Sequence, residues 1–263
     1  MRTNTALAKW RAGNQTIGVW LSLANDHSAE LLAHAGFDWA VVDMQHGLLD
    51  YGDLRHMLPA ISTTDTIPMV RVPSNNPADI QKVLDAGALG VIVPLVNNRD
   101  EAAAAVSACR YPPEGTRSFG PIRAALYGGS GYAAEANNEI ACIVMIETKE
   151  GIENLDSIVT TPGLGGVYIG PSDLAFALGL PPLGDTDDPL HLETVDRILK
   201  ACKSHGVPAG IHTSGLGFAR RRLEAGFDFV TLGTDAGFMI RTATAELAEA
   251  RGSVPKERES TGY

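Results

Sequence analysis

Two acids stand where apolar runs stop. Glu147 closes the run Ile140–Ile146, and Asp173 follows Gly170-Pro171-Ser172 after the run Val167-Tyr168-Ile169. They are separated by one strand–helix unit. Neighbouring strands lie about 4.8 Å apart, so both carboxylates can reach one ion at about 2.0–2.2 Å. Two carboxylates with no cysteine favour Mg²⁺, Mn²⁺ or Co²⁺ with water in the open positions. The competing assignment, two helix-capping acids, does not account for the adjacent-unit spacing.

Other polar groups fall at matching places. Arg71 sits in the apolar run Ile67–Val72, where a guanidinium needs a partner. It is either half of a structural ion pair or a cation for a carboxylate or enolate oxygen. His46 follows Asp43 at the end of the run Trp39–Met44. It is either a hydrogen-bonded loop histidine or a general base held by Asp43. The amides of Ser172 and Asp173 open a helix and can seat a carboxylate. A 2-oxo acid fits such a set, because its carboxylate and keto oxygens chelate one metal and the metal then favours enolate formation. His27, His34, His56, His191 and His205 fall in helices or their flanks and are expected at the surface. His212 lies nearer the strand ends, with a weaker case for chemistry.

Positioning these groups requires a scaffold with all the strand ends on one face. Strand-type runs recur at 16–23, 39–44, 67–72, 90–96, 140–146, 166–170, 208–213 and 229–233, each followed by a helix-type segment. Eight such units predict a parallel (β/α)₈ barrel with its site at the strand C-termini. An open doubly wound sheet is the alternative, but the turn Ser22–Ser28 lacks a glycine-rich phosphate loop. Residues 111–138 form a long polar passage with Arg117 and Arg123, expected to be functional or partly helical. The expected domain is 1–252, with 253–263 a polar tail.

Composition narrows the partners. The 263 residues carry a net charge of −10, which argues against nucleic acid or an anionic membrane. Cys109, Cys142 and Cys202 are scattered, without a CxxC spacing, as expected of a reducing cytoplasm. Cys142, within an apolar run, is expected to be a buried small hydrophobe. The first nine residues lack the apolar stretch of a signal peptide, and no run is long enough for a membrane helix. The expected location is the cytoplasm.

The ordered motifs resemble the HpcH/HpaI family of metal-dependent class II pyruvate aldolases. They are Gly36-Phe-Asp-Trp39, Val42-Asp-Met-Gln-His-Gly47, Val70-Arg-Val-Pro73, Leu84-Asp-Ala-Gly-Ala88, Met145-Ile-Glu-Thr148, Gly170-Pro-Ser-Asp-Leu174 and Leu232-Gly-Thr-Asp235. The resemblance spans nearly the whole chain. It implies a barrel of the phosphoenolpyruvate/pyruvate type with an exchanged C-terminal helix, assembled as a trimer of dimers. It implies Glu147 and Asp173 as ligands of a divalent metal, Arg71 on the keto oxygen and His46 with Asp43 as the acid–base pair. The Ser172 and Asp173 amides would hold the carboxylate. Trp20 and Leu216 would wall the aldehyde pocket, Arg123 would shape its entrance, and Asp85 would reach a neighbouring subunit's site. The substrates implied are a 2-oxo acid, pyruvate or hydroxypyruvate, and an aldehyde. Two departures stand out: Met145 where many relatives carry glutamine, and Gln45 where some carry glutamate. Competing chemistries are a Schiff-base aldolase using Lys149, an oxaloacetate-type decarboxylase, a coenzyme A-thioester lyase and a non-enzymatic 2-oxo-acid binding protein.

Overall fold

The computed structural model describes residues 2–253, so nearly all of the expected tail at 253–263 lies outside the described residues. The chain opens with helix α1 (Thr5–Arg11). There follow β1 (Thr16–Leu21), α2 (Asp26–His34), β2 (Trp39–Asp43), α3 (Tyr51–Ile61), β3 (Ile67–Arg71), α4 (Pro77–Asp85), β4 (Gly90–Val93) and α5 (Arg99–Cys109). The second half contains α6 (Ala124–Gly128), α7 (Tyr132–Glu139), β5 (Ala141–Met145), α8 (Lys149–Glu153), α9 (Leu155–Val159), β6 (Gly166–Ile169) and α10 (Pro171–Ala177). It ends with α11 (Pro189–Ser204), β7 (Ala209–Ile211), α12 (Leu216–Glu224), β8 (Phe229–Thr234) and α13 (Asp235–Ala250). Each strand pairs in parallel with the next, and β8 pairs with β1. The result is the closed eight-stranded barrel expected from the repeated strand–helix units.

Strand alternation divides the core in two. Val42, Val70, Val91 and Val144 point outward into the layer under the helices. Trp39, Val41, Ile67, Met69, Ile143 and Met145 point inward and fill the barrel. The large inner rings need space: a Cβ on Gly18 would sit 2.1 Å from the Trp39 ring. The same alternation carries inward to the strand ends. Asp43 continues the Trp39/Val41 face and Arg71 the Ile67/Met69 face, and the two are register partners.

The strand N-terminal end is plugged by α1, for which the sequence reading made no provision. Ala6, Leu7 and Trp10 pack into the barrel interior, with Trp10 stacked on Phe229 at 4.2 Å. Seven residues are too few for a periodic signal. Asn4 supplies the cap, accepting from the Leu7 amide. Residues 111–138 connect α5 to β5 and therefore also lie at this end; they are partly helical, as expected, holding α6 and most of α7. The three cysteines are buried and unpaired, and Cys142 sits in the outer core layer as expected. No helix among the described residues is long and apolar enough to cross a membrane.

Candidate active site

Register places Asp43 and Arg71 side by side at the strand C-termini. Arg71 donates from Nε to Asp43 Oδ1 (2.8 Å) and from Nη2 to Oδ2 (2.6 Å), a two-pronged contact with both side chains almost fully buried. Asp43 also accepts the backbone N–H groups of Gln45 and His46. Burial alone would raise the Asp43 carboxyl. The Arg71 hydrogen bonds and charge outweigh it, helped by the Trp20 indole, which faces the carboxylate without closing a hydrogen bond, and by the His46 amide. Asp43 is therefore held below the usual carboxylate range and fixes the guanidinium in orientation.

Glu147 follows β5 and is 1% exposed. A left-handed residue, Leu95 (φ 56°), turns its amide onto Glu147 Oε1 at 3.0 Å. Oε2 is buried with no hydrogen-bond partner. Glycine at 170 is what lets this oxygen sit there, since a Cβ on Gly170 would stand 2.0 Å from Oε2. Burial first, and the charge of Asp173 second, push the Glu147 pKa up to about 7, with the Leu95 amide and Arg71 opposing.

Trp20, Arg71, Met145, Tyr168, Gly170, Pro171, Ser172, Asp173 and His212 surround a cavity of about 290 Å³, counting its open mouth. Ser172 and Asp173 lie in the first turn of α10, whose N-terminus has no side-chain cap, so their amides are left for another acceptor. His191, expected at the surface, is fully buried. The start of α11 folds over α10, and His191 Nε2 meets the Pro171 carbonyl at 3.0 Å. A carbonyl only accepts, so Nε2 carries the proton and holds the turn that presents Ser172 and Asp173.

The cavity thus gathers Trp20, Arg71, Ser172 and Asp173, with Asp43 and Glu147 against it. His46 is exposed on the loop after β2, outside the lining. Leu216 is 55% exposed and also outside it. Because β7 stops at Ile211, the residue presented to the cavity from this strand is His212. Position at a strand end and the alternation of β7 are the signals that would have ranked His212 above Leu216. Asp85 and Arg123 are not at the cavity of their own chain. Asp85 ends α4 at the opposite face and pairs with the buried Arg117 at 2.7 Å. Arg123 donates to the Ala86 carbonyl at 2.7 Å. Lys149 is exposed at the start of α8, and no lysine lines the cavity, which removes the support for a Schiff-base aldolase.

The model of the HpcH/HpaI aldolase/citrate lyase family matches residues 16–242, all eight strands included. The chain belongs to this family. A hydroxypyruvate/pyruvate aldolase from Rhizorhabdus wittichii is 42% identical over 242 residues, covering 92% of this chain and 96% of that protein. A 5-keto-4-deoxy-D-glucarate aldolase from Citrobacter koseri is 42% identical over 236 residues, covering 89% and 91%. The crystal structure of an HpcH/HpaI aldolase/citrate lyase family protein from Burkholderia cenocepacia superimposes with a TM-score of 0.89 at 36% identity, covering 95% of this chain and all of that one. As a member of the HpcH/HpaI family with aldolase relatives, the protein is an enzyme of the carbon–carbon lyase type.

The residues also suit a divalent cation. Among the described residues no three of His, Cys, Asp and Glu cluster as a ready-made metal site. A cation here would take Glu147 and Asp173 and complete its shell with water or substrate oxygens. The unpartnered Glu147 Oε2 and the raised Glu147 pKa are what a carboxylate suited to a cation presents.

Proposed function

We propose that the protein catalyses reversible aldol cleavage and addition, interconverting 4-hydroxy-2-oxo acids with a 2-oxo acid of the pyruvate type and an aldehyde. The observation that carries this reading is Glu147 Oε2, a buried acceptor with no partner beside a cavity that also holds Arg71 and the first turn of α10. A divalent ion held by Glu147 and Asp173, Mg²⁺, Mn²⁺ or Co²⁺, would supply Lewis-acid stabilisation of developing negative charge.

The chain's own groups do the rest. The Ser172 and Asp173 amides orient the substrate carboxylate. Arg71, clamped by Asp43, donates to the keto oxygen and strengthens its hold as that oxygen becomes an enolate, so its contribution falls in the transition state. His46, on the loop after β2, exchanges the proton: it takes one from C3 for addition and from the C4 hydroxyl for cleavage. Trp20 walls the pocket. A cation–π contact places the Arg71 guanidinium over the Trp20 ring at 5.0 Å.

The same reading extends to the assembly. Met239, Ile240 and Leu247 leave much of α13 exposed, and Phe119, Ile122 and Leu126 stand out from residues 111–138. An exchanged α13 and a hexamer built as a trimer of dimers would cover these surfaces and carry Asp85 and Arg123 to a neighbouring site.

The deciding experiment strips the protein with EDTA, restores each metal in turn, and assays a panel of 2-oxo acids with aldehydes. Activity should vanish on stripping and return with one or more divalent metals. Glu147→Ala should lose both metal binding, by calorimetry, and turnover. Retention of both by Glu147→Ala would sink the site assignment.

A further inference from the structure

His212 lines the cavity, and the proposed chemistry gives it no task. It is 9% exposed and follows β7, with its backbone N–H on the Ile169 carbonyl at 3.1 Å. The Trp20 ring meets it edge-on at 5.1 Å, fixing the plane of the imidazole. Nδ1 stands 3.4 Å from the Tyr168 hydroxyl, which is closely bonded in turn to the Thr231 hydroxyl. Nε2, at the other side of the ring, is buried without a hydrogen-bond partner, and the ring lines the cavity. Leaving such an atom unmet costs about 1–3 kcal/mol, so a site of this kind is built for a ligand atom or an ordered water.

The Tyr168 contact restricts what that ligand atom can be. If the tyrosine donates to Nδ1, Nε2 carries the proton and donates. If Nδ1 donates to the tyrosine oxygen, Nε2 accepts. A carboxylate or keto oxygen satisfies only the first arrangement. A hydroxyl satisfies either, because it can give a proton and also accept one. Burial and the nearby Arg71 charge, opposed by Asp43, push the His212 pKa down to about 4. The ring is therefore neutral at neutral pH and exerts no net attraction on an anion.

We propose that His212 Nε2 hydrogen-bonds a substrate hydroxyl, making the site selective for a hydroxylated reactant. This rests on the aldolase reading and narrows its substrate class. The hydroxyl can belong to the nucleophilic partner, a 3-hydroxy-2-oxo acid, or to the electrophilic one, a 2-hydroxyaldehyde. His212 acts here as a specificity residue and takes part in no bond-making step.

The test measures preferences, not absolute rates, on the metal-loaded full-length protein. Binding of hydroxypyruvate and of pyruvate is measured by calorimetry without aldehyde. Turnover is measured for both acids, and for glyceraldehyde against propanal. Wild type should prefer the hydroxylated member of at least one pair. His212→Leu should erase that preference by about tenfold, the value of one lost hydrogen bond in a closed site. His212→Gln, which offers both a donor and an acceptor, should restore it to within about threefold. A change confined to the acid pair places the hydroxyl on the nucleophile, and one confined to the aldehyde pair places it on the electrophile; either supports the proposal. A wild type without preference, a preference that survives His212→Leu, or no binding of either acid overturns it. Absence of turnover together with a His212-dependent binding preference overturns the aldolase reading and leaves the hydroxyl assignment standing.

Discussion

Two arginines among the described residues are buried against an aspartate, one at each end of the barrel, and the two pairs are built for different ends. At the strand C-termini, Asp43 grips Arg71 through both oxygens, and the guanidinium lines an open cavity. At the opposite face, Asp85 holds Arg117 through one oxygen, and Arg117 is enclosed by the rings of Tyr111 and Tyr132 at 4.5 and 5.5 Å. The carboxylates diverge accordingly. Asp43 is held below the usual range, whereas burial raises Asp85 and its Arg117 contact only partly offsets this. One pair spends its aspartate on aiming a cation at a cavity. The other locks residues 111–138 against α4. Burial of the guanidinium is shared by both, so burial alone does not mark function; what marks it is the cavity and the unpartnered Glu147 Oε2 beside it.

The comparison can be broken in several ways. Arg71→Lys keeps the charge but not the two-pronged geometry, and should lower kcat/KM about 10³-fold while the chain stays folded; a mild loss would reduce Arg71 to the structural status of Arg117. The cavity wall should also respond to pH. The folded His212 pKa of about 4 lies below its ordinary value of 6.5, so the unfolded chain takes up the proton first as pH falls. The associated stability is present above pH 6.5 and is lost on descending through pH 4, by roughly 3 kcal/mol. Denaturant titrations should show the wild type losing this much more than His212→Gln between pH 7 and pH 4, and equal slopes would remove the buried neutral histidine.

Arg117→Met should cost about 2 kcal/mol of stability, less than for a fully buried partner because Asp85 is 27% exposed. Thermal melts and kcat/KM should be measured together. Lost activity at unchanged stability would assign Asp85 to a neighbouring subunit's site and dissolve the contrast between the two pairs. The smallest effect is expected at Asp50, which also lies toward the cavity end. It caps α3 in a reciprocal arrangement with Asp53. Asp50→Ala should cost about 1 kcal/mol in a melt and leave kcat/KM unchanged, showing that proximity to the mouth is not itself what makes a residue functional.

Much of the site was legible because strand ends carry a signature. An arginine or glutamate that terminates an apolar run must face something polar, and Arg71 and Glu147 stood out for that reason. Leu216 and His191 show where such reading runs out. Leu216 sits a few residues past β7, and only the actual end of the strand shows that His212 takes the cavity position. His191 lies in a helix with an ordinary amphipathic pattern, and its burial depends on how α11 packs over α10. Helix α1 was missed because seven residues cannot display a period. Asp85 and Arg123 were placed by resemblance alone, and within one chain they lie at the far face from the cavity.

The sequence by itself determined the eight strand–helix units, their parallel closure and the polar groups at the strand C-termini. Alternation and run length are local properties, written in consecutive residues. The tertiary structure decided the pairing of Asp43 with Arg71, the absence of a partner for Glu147 Oε2 and the presentation of His212 between Trp20 and Tyr168. Each of these depends on register between strands or on which atoms remain unmet after packing, and both are set by contacts between residues far apart in the chain.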